Sequence, residues 1–465
     1  QPQSGQQDAG PGTWLSFCRR HRQRPPGHAR RSLSNSSHRH LSSHRRIRPV
    51  AEDKGKLCVS EKQEETMIKP KKKNRIKKLL NTIKLTIICE LTRCAYLLSK
   101  PFYNKNIWII GETELQAQEN GYHLFSWIRR NNPSMNVYYV LSQSSPSWDK
   151  TNKLGNVLAL NSFKQVFFLY HAKKIISTHG LWMIPDEIGI LKKLTIKTLK
   201  FDGVMLNHGV GFLKNGAKYY HKTTFPLNKL VTALSPEHKK IFTEHYGYND
   251  EDVFITGYPR FDDLIDTSDQ SSEMKIITFM PTFRDGEDNL GDAFRDTELF
   301  KRTKDLMTDP KLKNKLKEKK LTLAIYLHQN IQKYSYMLEE FSSDNVVIAK
   351  QGKYNVQHLL KISKLLITDY SSVFFDFIYM KKPFISYQFD YDRFISSRKD
   401  KAFIDIKKDL PGTVVEDHDS LILKVIEMIE NEFTFSIEDK MKSSRFFSFE
   451  DRNNCERVFK AIEST

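Results

Sequence analysis

The chain has 465 residues, more than one hydrophobic core usually covers, so two domains plus appendages are the default expectation. Its net charge of +19 sits at the front: residues 1–100 carry 23 Lys and Arg against 7 Asp and Glu, whereas residues 101–465 carry 51 against 48. That nearly neutral body weighs against a uniformly basic nucleic-acid binder, and five cysteines without a CxxC pair or a histidine at metal spacing exclude a Cys-type zinc motif and fit a reducing cytoplasmic compartment.

Residues 1–50 hold ten Arg, no Lys and one acid among Ser, His, Pro, Gln and Gly, a composition that cannot bury enough apolar surface to fold. From Met67 the chain turns to Lys, Ile, Asn, Phe and Tyr. Residues 1–66 therefore read as a disordered Arg-rich extension, a fusion remnant or sequence upstream of a start at Met67. The rival reading, an Arg-rich nucleic-acid tail, lacks aromatic interleaving and a fold signature. No signal peptide follows the basic run 69–78, because Lys84, Glu90 and Arg93 interrupt the apolar positions and no small-residue cleavage site is present.

Within 67–104, Leu80, Ile83, Ile87, Leu91, Cys94 and Leu98 recur at three and four residues and form one apolar stripe of a basic amphipathic helix. Three charges in that stretch, each costing about 2.5–3.5 kcal/mol at a bilayer centre, argue against a spanning helix. A helix in the membrane interface behind a polybasic lead, or one packed on the body with a solvated basic end, both fit.

The body alternates short apolar runs with helical stretches such as 116–130 and 355–363. Candidate strands are 107–110, 137–141, 174–178, 204–207, 230–234, 253–256, 276–280, 323–327, 346–349, 365–368 and 384–387. The pattern predicts an α/β chain of two Rossmann-like domains with parallel strands buried on both faces, 105–248 and 249–465, parted at YGYNDED. In such sheets ligands bind beyond the carboxyl ends of strands, where NHGVGF, GYPRF, PTFRDG and DYSS all fall.

In DYSS, Ser371 and Ser372 suit a helix cap with backbone N–H groups facing an anion, or a cap and nothing more. His208, followed by Gly209 and Gly211, ends a strand where a general base or an ordinary loop histidine is expected, and His328 in IYLHQN has the same setting in the other domain. Arg260 and Arg284 bring guanidiniums suited to bidentate phosphate contacts, or to surface salt bridges. No G-x-G-x-x-G or Walker loop is present, and no carboxylate cluster demands a metal.

The set NHGVGF, GYPRFD, PTFRDG, LHQN and ITDYSSVFFDFIYMKKPFISYQFDYDRF, with RFFSFEDRNNCERV near the end, resembles the CDP-glycerol glycerophosphotransferase family over about residues 105–460. At the histidine loop the chain reads HGVGFLK where that family often has HGTPLK. The resemblance implies two domains facing across a cleft in the GT-B manner, and transfer of a polyol phosphate from CDP-glycerol or CDP-ribitol to a hydroxyl of a lipid-linked acceptor at the cytoplasmic membrane surface, releasing CMP. It implies no metal or cofactor and no nucleic-acid partner. His208 would deprotonate the acceptor and His328 would assist at the donor phosphates. Donor contacts would come from Gly209, Val210, Gly211, Phe212, Arg260, Pro281, Thr282, Arg284, Gln351, Asp369, Ser371 and Ser372, with Arg260, Thr282 and the two serines on the diphosphate. Two alternatives stand beside it: a GT-B nucleotide-sugar glycosyltransferase of surface polysaccharide synthesis, and a non-catalytic basic membrane- or nucleic-acid-binding protein.

Overall fold

The computed structural model describes residues 61–103, 106–180, 183–184, 199–270, 275–350, 354–397 and 401–465, with side chains from residue 79 onward. Most of the expected Arg-rich extension lies outside the described residues. Helix begins at Glu61, ahead of the expected start at Met67, and runs to Ser99, just before Pro101. Residues 81–465 form one compact unit.

Two all-parallel sheets dominate that unit. The first comprises β1 (Ile107–Gly111), β2 (Val137–Leu141), β3 (Val157–Ala159), β4 (Ala172–Ser177), β5 (Asp202–Met205), β6 (Asn228–Ala233) and β7 (Val253–Ile255), ordered β3-β2-β1-β4-β5-β6-β7. The second comprises β8 (Lys275–Phe279), β9 (Leu321–Ile325), β10 (Val346–Ile348), β11 (Ser363–Thr368), β12 (Phe384–Tyr387) and β13 (Thr413–Val415), ordered β10-β9-β8-β11-β12-β13. Each order reverses direction once, between β1 and β4 and between β8 and β11, as in a Rossmann sheet. Every expected strand is present. β7 hydrogen-bonds in parallel to β6, so the first sheet runs past the expected boundary at residue 248.

Helices cover both faces of each sheet, which is why the strands read as unbroken apolar runs. On one face of the first sheet, Ile107, Ile109 and Ile175 pack with Val166 and Leu169, and with Leu85 and Cys89 of the long helix. On the other, Trp108, Ile110 and Val204 meet Leu124, Phe125 and Ile128, and also Val458, Phe459 and Ile462 of the C-terminal helix Asn454–Ser464. The end of the chain thus closes the core that its beginning opened.

The long helix carries two faces. Thr82, Leu85, Cys89 and Thr92 turn inward and are buried, and Tyr96 stacks on Tyr170 at 5.4 Å. The stripe recognised in the sequence lies on the other side: Ile83, Ile87, Leu91 and Leu98 are 48%, 54%, 57% and 79% exposed, and Cys94 is exposed as well. No helix among the described residues is long and apolar enough to cross a membrane.

One glycine fixes the return of the C-terminal helix. Gly257, beyond β7, has φ +75°, and a Cβ there would lie 1.8 Å from Asn454 Oδ1. Asn454 is fully buried and donates to Asp262 Oδ1 (2.8 Å) and Tyr379 Oη (3.2 Å). Gly257→Ala is expected to cost about 1–3 kcal/mol for the left-handed backbone alone, with the overlap added. A thermal melt with an unchanged midpoint would contradict this account of how the last helix is seated.

Candidate active site

The histidine loop grows from β5. Asn207 takes a left-handed turn at φ +56° and anchors it by donating from Nδ2 to the Thr232 carbonyl at 2.9 Å. His208 follows, and its loop is then tied down from three directions. Asn120 Nδ2 donates to Asn207 O (2.8 Å), Arg260 Nη1 to His208 O (2.6 Å) and Tyr258 Oη to Gly209 O (3.2 Å). The backbone that carries the imidazole is therefore held by side chains from β1's helix and from the loop after β7.

Arg260 does more than hold that carbonyl. It is 5% exposed, pairs with Asp376 through two bonds (Nε–Oδ2 3.1 Å, Nη2–Oδ1 2.6 Å), and reaches Glu119 Oε2 at 3.2 Å. Glu119 belongs to the first half and Asp376 to the helix Val373–Tyr379 of the second. Burial opposes the guanidinium's charge, but Asp376 and Glu119 outweigh it and the pKa is raised. Burial also pushes Glu119 up, against the pull of Arg260.

Arg284 repeats the arrangement in the second half. Its Nε and Nη2 fork onto Asp390, each at 2.8 Å, while Nη1 meets Asp369 Oδ2 at 2.9 Å and the Thr282 carbonyl. Asp369 is 1% exposed and accepts from the backbone N–H of Thr282 (2.9 Å) and Tyr370 (2.6 Å) through Oδ1. PTFRDG and DYSS, the loops after the two central strands β8 and β11, are thereby locked together. Arg260 and Arg284 are engaged in buried ion pairs rather than in the surface salt bridges that the sequence offered as the alternative to phosphate contacts.

The remaining expected residues separate into those at the cleft and those behind it. An added Cβ on Gly209 would lie 3.5 Å from Ser372 Oγ, so the histidine loop and DYSS meet. Ser371 Oγ accepts from Val373 N at 3.4 Å, whereas Ser372 sits in helical backbone and caps nothing, contrary to a paired serine cap. Thr282 Oγ1 is buried and without a hydrogen bond. His328 stacks on Phe283 at 4.9 Å and accepts from Asn330 N at Nδ1 (3.3 Å), which leaves its proton on Nε2 when neutral. Burial lowers its pKa, against the pull of Asp369. Val210, Phe212 and Pro281 are buried; the Phe212 ring packs among His238, Phe375 and Phe446, and its carbonyl accepts from Phe403 N at 2.8 Å. The Phe212 side chain thus packs between the halves. Gln351 lies outside the described residues.

His208 itself is open to solvent yet walled by protein on most sides. That enclosure, with Arg260 and Lys214 nearby, lowers its pKa to about 4. Tyr220 Oη lies 3.1 Å from His208 Nδ1, and burial raises the phenol to about 12. A second histidine, His179 beyond β4, stacks on His208 at 4.2 Å. Neither Tyr220, Lys214 nor His179 was singled out by the sequence, although His179 ends a strand and precedes a glycine as His208 does. Beside Asp369 and Tyr370 lies a cavity of about 440 Å³ whose walls include Leu213, Tyr391, Phe394 and Phe403. Among the described residues, no cluster of His, Cys, Asp or Glu is placed to hold a metal ion.

These features define a two-sheet α/β protein with a histidine on one half facing a hydroxyl-rich loop on the other. The chain belongs to the CDP-glycerol:poly(glycerophosphate) glycerophosphotransferase family, which it matches over residues 93–464. It is 28% identical to the minor teichoic acid biosynthesis protein GgaB of Bacillus subtilis (strain 168), over 83% of this chain and 42% of that protein. It is 26% identical to the teichoic acid glycerol-phosphate primase of the same organism, over 66% of this chain and 77% of that one. The fold matches the wall teichoic acid polymerase TagF with a TM-score of 0.59 at 20% identity, over 84% of this chain and 98% of that structure. The chain thus spans less than half the length of GgaB.

Removing one partner from a buried ion pair costs about 3–5 kcal/mol. Asp376→Leu and Arg260→Met are therefore each expected to lose stability on this scale in denaturant unfolding, and the two combined to recover most of the loss. Additive effects in that double-mutant cycle would show that Arg260 does not join the halves through Asp376.

Proposed function

We propose that this chain transfers glycerol phosphate or ribitol phosphate from a CDP-polyol to a hydroxyl of a lipid-linked acceptor, releasing CMP, in teichoic acid or capsule-type polymer synthesis. The observation that carries the reading is the meeting of the His208 loop with Ser372 of DYSS in a chain of this family. Support for the donor comes from the family description and from a histidine variant of TagF soaked with CDPG.

In this reading His208 takes the proton of the acceptor hydroxyl as its oxygen bonds to the phosphorus that carries the polyol. The bond from that phosphorus to the bridging oxygen breaks, and its electron pair leaves with CMP. Ser371, Ser372, the Thr282 hydroxyl and the backbone of Gly209 to Phe212 hold the diphosphate, and His328 assists from the second half. The aromatic-walled cavity beside Tyr370 suits a stacked pyrimidine ring. Arg260 and Arg284 act indirectly, by fixing the two loops. Such a reaction needs mainly positioning and charge stabilisation.

The test is CMP release from CDP-glycerol and, in parallel, CDP-ribitol, with a lipid-linked acceptor. One donor is expected to turn over, and His208→Ala to lose about 10²–10⁴-fold in kcat. The pH profile adds a sign. A base lowered to about 4 in the free protein is neutral throughout pH 5–8, so the acid limb of kcat/KM falls near 4 rather than near 6.5, where the imidazolium accumulates. Turnover of a nucleotide sugar, with both CDP-polyols inert, would refute the reading.

We further propose that the chain sits peripherally on the cytoplasmic face of the membrane through the long helix. The support is the exposed stripe Ile83, Ile87, Leu91 and Leu98 behind seven Lys and Arg in residues 69–78. Each basic residue near an anionic surface contributes about 1 kcal/mol. Sedimentation with phosphatidylglycerol vesicles is expected, with release at high salt and in Ile83→Glu/Ile87→Glu. Equal recovery of wild type and variant in the supernatant would exclude this anchor.

A further inference from the structure

His179 and His208 stand at the carboxyl ends of the adjacent strands β4 and β5, their ring centroids 4.2 Å apart and their planes 19° from parallel. The mount of His179 is fixed at every residue. Ser177 Oγ donates to the Gly180 carbonyl and accepts from His179 N (3.2 Å). Gly180 has φ +87°, and a Cβ there would lie 3.0 Å from the Phe225 ring. The Thr178 hydroxyl lies 2.6 Å from His179 Nδ1. The Glu112 carbonyl, at the end of β1, accepts from the His179 ring in turn.

We infer that His179 is a positioning residue that holds the ring plane of His208 for proton abstraction from the acceptor hydroxyl; this rests on the polyol-phosphate reading. Its partners are Thr178, Glu112 and His208, all groups of the protein, so it orients rather than reacts. The loop carbonyls fix the backbone of His208, and Tyr220 meets its Nδ1, but those contacts leave the ring free to tilt about its side-chain torsions. A second flat ring against its face removes that freedom. Stacking also shields one face of His208 from water. The charged and titratable groups around the pair are Tyr220, Lys214 and Arg260 on the His208 side, and the neutral Glu112 carbonyl and Thr178 hydroxyl face it on the His179 side. His179, like His208, is exposed to solvent on part of its surface, yet the surrounding protein and the neighbouring His208 lower it to about 3, so the platform stays uncharged.

The experiment compares wild type, His179→Ala and His179→Phe by CMP release and by NMR titration of the His208 imidazole. His179→Ala is expected to lower kcat about 10- to 100-fold with KM nearly unchanged, the scale of a misplaced catalytic group. His208 in that variant is expected to titrate at least about one pH unit higher, because water reaches the uncovered face. His179→Phe, which stacks without hydrogen-bonding, is expected to restore most of kcat and the low titration, and it also serves if the alanine variant folds poorly. Unmoved titration and wild-type kcat in the alanine variant would overturn the inference. If wild type releases no CMP from either donor but the His208 titration still moves, the polyol reading falls while the coupling of the rings stands. Titration that does not move overturns the inference whatever the turnover.

Discussion

The arrangement depends on one buried cation. Arg260 is held at once by Glu119 of the first half, by Asp376 of the second and by the carbonyl of His208. A guanidinium is suited to this because its planar fork satisfies two carboxylates and a carbonyl together, which an ammonium on a flexible stem does not. The pairing need not add net stability over an apolar isostere. What it adds is register: if the two halves slide, the charge loses partners that water cannot replace, and the histidine loop moves with it. The neutral links between the halves then need only fill space, as Phe212 does among Phe375 and Phe446.

Arg284 with Asp369 and Asp390 applies the same device within the second half, where it binds the loops of the two central strands. The result is electrostatically unusual for a site read as taking a diphosphate, since each guanidinium already faces two carboxylates. Positive charge at the cleft must come from groups nearer its surface, and Lys214 on the histidine loop and Lys401 on the cavity wall are placed there. Lys214 follows His208 by six residues in HGVGFLK, so one short loop carries both the imidazole and a cation.

The strands were legible because parallel strands covered on both faces must be apolar throughout, and runs such as IWII and LLIT leave no other reading. Val157–Ala159 and Thr413–Val415 escaped notice, although the equally short edge strands β7 and β10 were read. The passage from first to second sheet was misread at YGYNDED: polarity marks a turn, but it does not say which sheet the next strand joins, and β7 joins the first. The site loops were legible as strand ends with unusual residues. The occupation of Arg260 and Arg284 was not, because Glu119 and Asp376 lie 141 and 116 residues from Arg260 and only the fold brings them together. His179 was missed for a related reason, since its partner is on the next strand rather than the next turn. On the long helix the sequence showed the stronger apolar stripe, whereas the body took the weaker one, with Thr82 and Thr92 alternating with Leu85 and Cys89.

A histidine kept neutral by enclosure and nearby cations is a weak base toward a free alcohol, whose proton is far less acidic. Under the polyol-phosphate reading this weakness is relieved in two ways. The alcohol becomes strongly acidic only as its oxygen bonds to phosphorus, so proton transfer can follow bond formation and needs a nearby acceptor more than a strong one. The donor also changes the field: a diphosphate entering beside Ser372 brings negative charge toward His208 and opposes the influence of Arg260 and Lys214, raising the imidazole's affinity for a proton. The same enclosure that holds His208 neutral in the free protein therefore makes it responsive to the donor, and the base gains strength only once there is a phosphoryl group to transfer.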